Sequence, residues 1–364
     1  MHYTMICQSY SSFLPMPGKG EYRNVCGRVF VGFDEDAWMR VLVTGGTGFI
    51  GIHLVAALVA RGWQVRCLVR ETSNRRPLAA YGVEYVVGSL SDRAALQHAV
   101  QDVHYLFHLA GVTKARVTSD YDSVNHGGTQ ALLEACIKSS TTLQAFVYIS
   151  SIAAAGPSTT GQAVTENDEP QPVGPYGQSK LYAEKAVLAT RDRLPVIILR
   201  PSAIYGPYDT DFLPLFRAVK RGWLPTIGRE TLHVDMCFVG DLVRGILAAA
   251  ECPDALGGTF FLGGACHTWG EIGCEIARQL GRRLPRELRL PRGLVFTAAT
   301  LADAWAQMVG HPSVFNRQNL IERLQPFWVF DSSKACQVFG YQPQRSLPQG
   351  IACTLQWYQE RGQI

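Results

Sequence analysis

Tyr176-Gly-Gln-Ser-Lys180 sets a phenol and an ammonium one helical turn apart, because residues i and i+4 share a helix face. A phenol titrates at about 10 and is a poor base at neutral pH. A nearby ammonium favours the phenolate and lowers that value. Such a tyrosine can exchange a proton with a substrate hydroxyl while a hydride moves. Ser150-Ser151 ends an apolar run upstream, where a hydroxyl would polarise a substrate carbonyl by hydrogen bonding. Tyr-x-x-x-Lys alone is common on exposed helices. Its meaning depends on the elements that hold it.

Apolar runs alternate with helical patterns along the first two hundred residues. Strands are expected at Val41–Thr44, Val65–Val69, Glu84–Val87, Tyr105–Leu109, Phe146–Ser150 and Val196–Leu199. Helices are expected between them, near 49–61, 92–100, 120–139 and 176–191. This alternation predicts an α/β fold with a parallel sheet covered on both faces. Ligands in that architecture bind beyond the carboxyl ends of the strands. Past Arg200, Pro and Gly become frequent, and helices are expected near 211–221, 240–251, 269–280, 293–309 and 347–361.

The first strand runs straight into Thr44-Gly-Gly-Thr-Gly-Phe-Ile-Gly51. Glycines let the main chain approach a pyrophosphate, and the new helix offers free N–H groups and a partial positive charge to it. Gly51 allows close packing of helix on strand. The chain is therefore expected to bind a dinucleotide, whose positive nicotinamide ring would help to stabilise a Tyr176 phenolate. The second strand ends at Arg70, followed by Ser73, Arg75 and Arg76. An acidic residue there would accept from a ribose 2′-hydroxyl, whereas arginine suits a 2′-phosphate. NADP is favoured over NAD.

From Met39 to about Arg361 the chain resembles the extended short-chain dehydrogenase/reductase superfamily, also called NAD-dependent epimerase/dehydratase. The glycine turn, Phe107-His-Leu-Ala-Gly111, Asn125-His-Gly-Gly-Thr129, Ser150-Ser151, Tyr176-x-x-x-Lys180 and Leu199-Arg-Pro-Ser-Ala-Ile-Tyr-Gly-Pro207 carry the likeness in order. So do Asp331-Ser-Ser-Lys, Phe339-Gly-Tyr-Gln-Pro343 and Trp357-Tyr358. The resemblance implies a Rossmann-type doubly wound sheet over 39–205, with 236–262 returning to it, and a smaller substrate lobe over most of 206–364. It implies Ser151, Tyr176 and Lys180 as the catalytic set. It places Gly45, Thr47, Gly48, Phe49, Ile50 and Gly51 on the pyrophosphate, and Leu90, Leu109 and Ala110 beside the adenosine. Asn125 becomes a structural and cofactor-side contact. Lys180 also holds the nicotinamide ribose, and Pro201 to Ile204 pass beside the nicotinamide.

Two departures from the family pattern matter. Gly88-Ser89-Leu90 stands where an aspartate often contacts the adenine. Val234-Asp235-Met236 stands where nucleotide-sugar epimerases carry an Arg-Asp-aromatic segment whose arginine clamps the sugar nucleotide's phosphates. Valine cannot do so. A dehydrogenase or reductase acting on a hydroxyl/ketone carbon is expected, as in the 3β-hydroxysteroid dehydrogenase and dihydroflavonol reductase branch. Helix 293–309 with Phe315, Trp328 and Phe330 would then line an apolar pocket, although core packing explains each residue equally well. A nucleotide-sugar epimerase/dehydratase is the alternative, with Arg217, Lys220, Arg221 and Arg229 supplying phosphate contacts. A non-catalytic NAD(P) sensor is the third reading.

The chain has 364 residues and a net charge of +4, enough for a large core and without a nucleic-acid footprint. Ten scattered cysteines without a C-x-x-C pair read as reduced thiols of a cytoplasmic protein. No ligand spacing predicts a metal, and no apolar stretch is long enough to span a bilayer. Residues 1–38 lack any clear period, so Met39 is expected to be the native start. A homodimer through two sheet-covering helices is expected by analogy.

Overall fold

The computed structural model describes residues 39–309 and 320–364, apart from Arg116, Arg229, Glu230 and Arg323, with the backbone alone for 302–309 and for the short strands Tyr22–Arg23 and Val29–Phe30. Phe315, Arg229 and nearly all of the 1–38 segment therefore lie outside the described residues.

The chain runs β1 (Arg40–Thr44), α1 (Phe49–Ala60), β2 (Gln64–Val69), β3 (Glu84–Val87), α2 (Arg93–Ala99), β4 (Tyr105–His108), α3 (Gly128–Ser139), β5 (Ala145–Ile149), α4 (Pro175–Leu188) and β6 (Val196–Pro201). Then come β7 (Ala203–Tyr205), α5 (Leu213–Lys220), β8 (Trp223–Ile227), β9 (His233–Phe238), α6 (Val239–Ala250) and β10 (Thr259–Leu262). The last part holds β11 (Ala265–Thr268), α7 (Trp269–Gln279), β12 (Arg286–Leu290), α8 (Arg292–Val309), β13 (Phe327–Trp328), α9 (Ser333–Phe339) and α10 (Leu347–Glu360).

Seven parallel strands form the main sheet in the order β10-β6-β5-β4-β1-β2-β3. Chain order reverses between β1 and β4, and such a switch point opens a crevice for a ligand. Alternate residues of each strand serve opposite faces. Val41 and Val43 pack with α1, α6 and α9, while Leu42 packs with α2, α3 and α4. Both faces are thus dry, which is why the strands read as unbroken apolar runs. Helix α1 is buried from Gly51 to Leu58 and needs no polar face.

A second sheet is built on β9. It pairs antiparallel with β11 on one side, and parallel with β13 and β7 on the other. The expected return of 236–262 to the main sheet is corrected here. Residues 236–238 stay in the second sheet, and only α6 and β10 go back. The physical reason is that Met236, Cys237 and Phe238 find their hydrogen-bonding partners in β7. A further core joins α5, α7 and α10. Among the described residues no helix is long and apolar enough to cross a membrane.

Arg66 on β2 is buried and ties this edge together. Its Nε donates to Glu84 at 2.9 Å, and its Nη1 reaches the carbonyls of Ala99 and Gln101 at 3.0 and 2.9 Å, where α2 leaves acceptors without partners. Arg66→Met is expected to cost on the order of 3 kcal/mol, because charge-assisted bonds to buried acceptors are lost together. Urea unfolding at neutral pH would measure it, and a loss within the scatter of ordinary surface substitutions would contradict this role.

Candidate active site

The turn after β1 is shaped by the absence of side chains. Gly45 has φ +74°, and a Cβ there would stand 2.7 Å from the amide nitrogen of Ala110. A Cβ on Gly51 would stand 2.2 Å from the Gly45 carbonyl oxygen and 2.6 Å from the Gly46 Cα. So Gly51 presses α1 onto the turn itself, while Gly46 faces Cys67 of β2. Gly48 caps α1 without a side-chain hydrogen bond, and Thr47, Phe49 and Ile50 remain partly accessible around it. The first-turn amides are therefore donors for an anion. This close-walled cradle fits a dinucleotide pyrophosphate.

Leu109 and Ala110 follow β4 and lie against Gly45. The Ala110 amide donates to Thr44 Oγ1 at 3.2 Å. Behind them runs a buried polar chain that the sequence did not announce. His108 sits between Thr44 Oγ1 at 2.6 Å and Thr129 Oγ1 at 2.9 Å, and Thr129 donates onward to the Asn125 carbonyl at 2.5 Å. Burial, helped by the charge of Lys180, lowers His108 to about 3, so the ring is neutral. Leu90 is half-buried over Gly128 at the start of α3.

One continuous helix was expected over 120–139. Instead Thr118–Tyr121 passes into a π-helical turn, Asp122–Gly127, before α3 begins. Such turns re-aim side chains, often at functional sites. This one delivers Asn125. Its Oδ1 accepts from Val112 N at 2.7 Å, and its Nδ2 donates to Val112 O at 3.0 Å and to Ser179 Oγ at 2.9 Å. Both amide hydrogens are consumed. Asn125 pins the post-β4 loop to α4.

Ser150 and Ser151 leave β5 with different tasks. Ser150 Oγ donates to Glu184 at 2.5 Å inside the protein. Ser151 Oγ accepts from Ala153 N at 3.1 Å, and its hydroxyl acts on the Tyr176 phenol by favouring the ionised form. Tyr176 opens α4 behind Pro175 at its first turn. Gly177 lets that turn sit on the Ala153 carbonyl, since a Cβ there would be 2.2 Å from it. The Tyr176 ring keeps partial solvent access and lies 6.1 Å from that of Tyr121.

The expected lowering of Tyr176 by Lys180 is not what the folded chain shows. Burial drives the phenol above its ordinary range, Ser151 offsets part of this, and Glu322 and Tyr121 add to the rise. Lys180 Nζ donates instead to the Ile149 carbonyl at 2.7 Å and lies 4.5 Å from the Tyr148 ring centre. Burial lowers Lys180 to about 7, and Glu184 opposes the fall.

Arg70 directly follows β2. Its side chain is exposed and forms no ion pair among the described residues. Its amide donates to Ser73 Oγ at 3.1 Å. Arg75 is partly engaged, 5.5 Å over the Tyr85 ring. Pro201 ends β6, and Ile204 lies on β7 paired with Cys237.

Val234 is on β9, next to the buried Asp235, which accepts from Gly264 N at 2.7 Å. Arg217 donates to the Gln363 carbonyl at 3.0 Å, and Lys220 and Arg221 are exposed at the end of α5. The proposed apolar wall is also divided. Trp328 and Phe330 pack with Ile152, Ala155 and Phe261 beside the Ser151 turn, whereas Val295 and Ala299 of α8 pack with Leu320 and Leu324.

Residues 41–263 match the family described as NAD dependent epimerase/dehydratase. A ceramide reductase of Caulobacter vibrioides is 33% identical over 330 residues, 90% of this chain and 96% of that protein. A 3 beta-hydroxysteroid dehydrogenase/Delta 5-->4-isomerase of Mycobacterium tuberculosis is 32% identical over 88% of this chain and 90% of its own length. The structure of DesIV, a dTDP-glucose 4,6-dehydratase from Streptomyces venezuelae with NAD and TYD bound, superposes with a TM-score of 0.73 at 26% identity, covering 89% of this chain and 98% of that one.

Proposed function

The chain belongs to the NAD dependent epimerase/dehydratase family, enzymes of the extended short-chain dehydrogenase type, and from that premise we propose that it reduces a ketone on an apolar small molecule with NADPH. The observation that carries this reading is the placement of Ser151, beyond the carboxyl end of β5, with Tyr176 at the start of α4, whose first turn rests on the Ala153 carbonyl. Valine at 234 and two relatives whose names denote a ceramide and a steroid substrate support an apolar ligand over a nucleotide sugar.

A bound nicotinamide would supply the hydride. Ser151 donates a hydrogen bond to the substrate carbonyl oxygen beforehand and polarises it. Tyr176 Oη gives its proton to the alkoxide that forms, and a phenol protonated throughout the neutral range suits that direction. Lys180, as an ammonium, stabilises the phenolate left behind. Gly45, Gly48 and the first-turn amides of α1 would hold the pyrophosphate, and Arg70 with Ser73 would receive the 2′-phosphate.

Mass spectrometry of the small molecule that co-purifies with the protein tests the reading. A site that takes up NADPH reversibly and turns over apolar ketones supports it. Stoichiometric, tightly held NAD with turnover of a UDP- or dTDP-sugar would overturn it in favour of an epimerase or dehydratase.

Two consequences follow for solution behaviour. Arg70→Ala is expected to weaken NADPH binding about tenfold or more while leaving NADH unchanged, as loss of a charge-assisted phosphate contact requires. Fluorescence titration of both cofactors would show it, and equal weakening of the two would refute 2′-phosphate recognition. Lys180 works as the ammonium, which predominates below its pKa of about 7. Reductase kcat/KM in the free enzyme is therefore expected to hold below that pH and to decline as pH rises through it. A profile rising across that window would contradict the assignment.

A further inference from the structure

Tyr176, Lys180 and Glu184 recur at intervals of four and line one face of α4. Glu184 is 2% exposed and Arg200 on β6 is 5% exposed. Arg200 grips the carboxylate with both arms, Nε to Oε1 at 2.9 Å and Nη2 to Oε2 at 2.7 Å. Ser150 Oγ adds a third bond to Oε1 at 2.5 Å. The guanidinium lies 5.3 Å over the Phe261 ring of β10. One carboxylate thus gathers α4 and the ends of β5 and β6, with β10 behind them.

We propose that Glu184, oriented by Arg200 and Ser150, is a positioning residue that acts as the counter-charge of Lys180. The proposal rests on reading Tyr176 and Lys180 as the proton-transfer pair.

A buried ion pair is a poor device for stability alone, since well-packed apolar residues of similar volume often do as well or better. Its place one turn beyond Lys180 serves another purpose. Around Lys180 stand the neutral His108 of β4, the un-ionised Tyr148 of β5 and Glu184 of its own helix, with Tyr176 one turn away on the same face. Arg200 approaches from β6 through Glu184. Glu184 is the negative charge of this group. Without it, Lys180 and Arg200 would share one dry volume as two cations, and the more easily deprotonated of them, Lys180, would give up its proton.

The test needs no substrate. The full-length protein is labelled with isotopic acetic anhydride over a pH series, and mass spectrometry of the peptide carrying Lys180 reads its titration. In Glu184→Gln the titration is expected to move acidward by about one pH unit or more. Glu184→Asp keeps the charge one methylene further back, so it moves the titration the same way by less. A folded Glu184→Gln protein with an unmoved Lys180 titration would overturn the proposal, even if its thermal stability fell. Should Glu184→Gln not fold, an unmoved titration in Glu184→Asp would have the same force. Neither outcome depends on which ketone is reduced, so an error in the proposed reaction would not disguise the result.

Discussion

Tyr176→Phe is expected to lower kcat for ketone reduction by about 10²- to 10⁴-fold, the contribution of a positioned general acid, and to leave NADPH affinity unchanged. The prediction is sharp because the substitution removes one oxygen and keeps the ring. The ring sits against Tyr121, and the helix start is fixed by Gly177 on the Ala153 carbonyl and by Asn125 through Ser179. Ser151 keeps its bond from Ala153 N, so the neighbouring hydroxyl stays in place. Only the proton donor is lost. Stopped-flow measurement of NADPH oxidation under single-turnover conditions would isolate the chemical step, with fluorescence titration for binding. A variant that reduces ketones at nearly the parent rate would remove Tyr176 from the mechanism. One that no longer binds NADPH would mean that the phenol is a cofactor contact first.

The second large effect is expected at Gly51. Gly51→Ala inserts a methyl group where the Gly45 oxygen would be 2.2 Å away and the Gly46 Cα 2.6 Å away. Both neighbours are backbone and cannot rotate aside. Helix α1 must lift from the turn, at an overpacking cost of about 1–3 kcal/mol. The larger consequence falls on binding, since the turn and the first-turn amides lose their common geometry. A loss of about 100-fold or more in NADPH affinity is expected, the scale on which misplaced binding groups act. Gly62→Ala is the matching control. Gly62, unlike the helical Gly51, carries a positive φ of +78°, but nothing lies within 4 Å of the position a Cβ would take. That variant should lose about 1 kcal/mol of stability through backbone strain and bind NADPH normally. Thermal unfolding and cofactor titration on both proteins would decide, and normal binding by Gly51→Ala would refute the account of the turn.

The parts of this protein that were legible in its sequence share a physical origin. Runs such as Val41-Leu-Val-Thr44 and Phe146-Val-Tyr-Ile149 record burial on both sheet faces, and that demand is met strand by strand. The glycine turn is legible because steric exclusion acts between residues a few positions apart. The strands β7, β8 and β9 were not distinguished, because their residues are only partly buried and form no unbroken apolar run, and β10 escaped with them. Phe260 and Phe261, for example, read as a strand only once β6 is beside them. The turn at Asp122–Gly127 escaped for a related reason: a π-turn and an α-turn present nearly the same residue pattern, and the choice is made by Asn125 reaching Val112 and Ser179.

The same division runs through the site. The sequence by itself determined a side-chain-free glycine turn after β1 and the four-residue spacing of Tyr176 and Lys180 downstream of Ser151, since both are carried by residue type and short spacing. It also placed Glu184 one turn past Lys180, a signal that went unread because the partner Arg200 lies beyond the end of the helix. Tertiary structure alone decided the electrostatics. It turned Lys180 toward the Ile149 carbonyl, left Tyr176 a phenol above its ordinary range, used up the Asn125 amide and paired Arg200 with Glu184. Spacing along a chain fixes which groups share a helix face. The charge each group carries depends on how much water and which dipoles surround it, and those are set by packing between segments far apart in sequence.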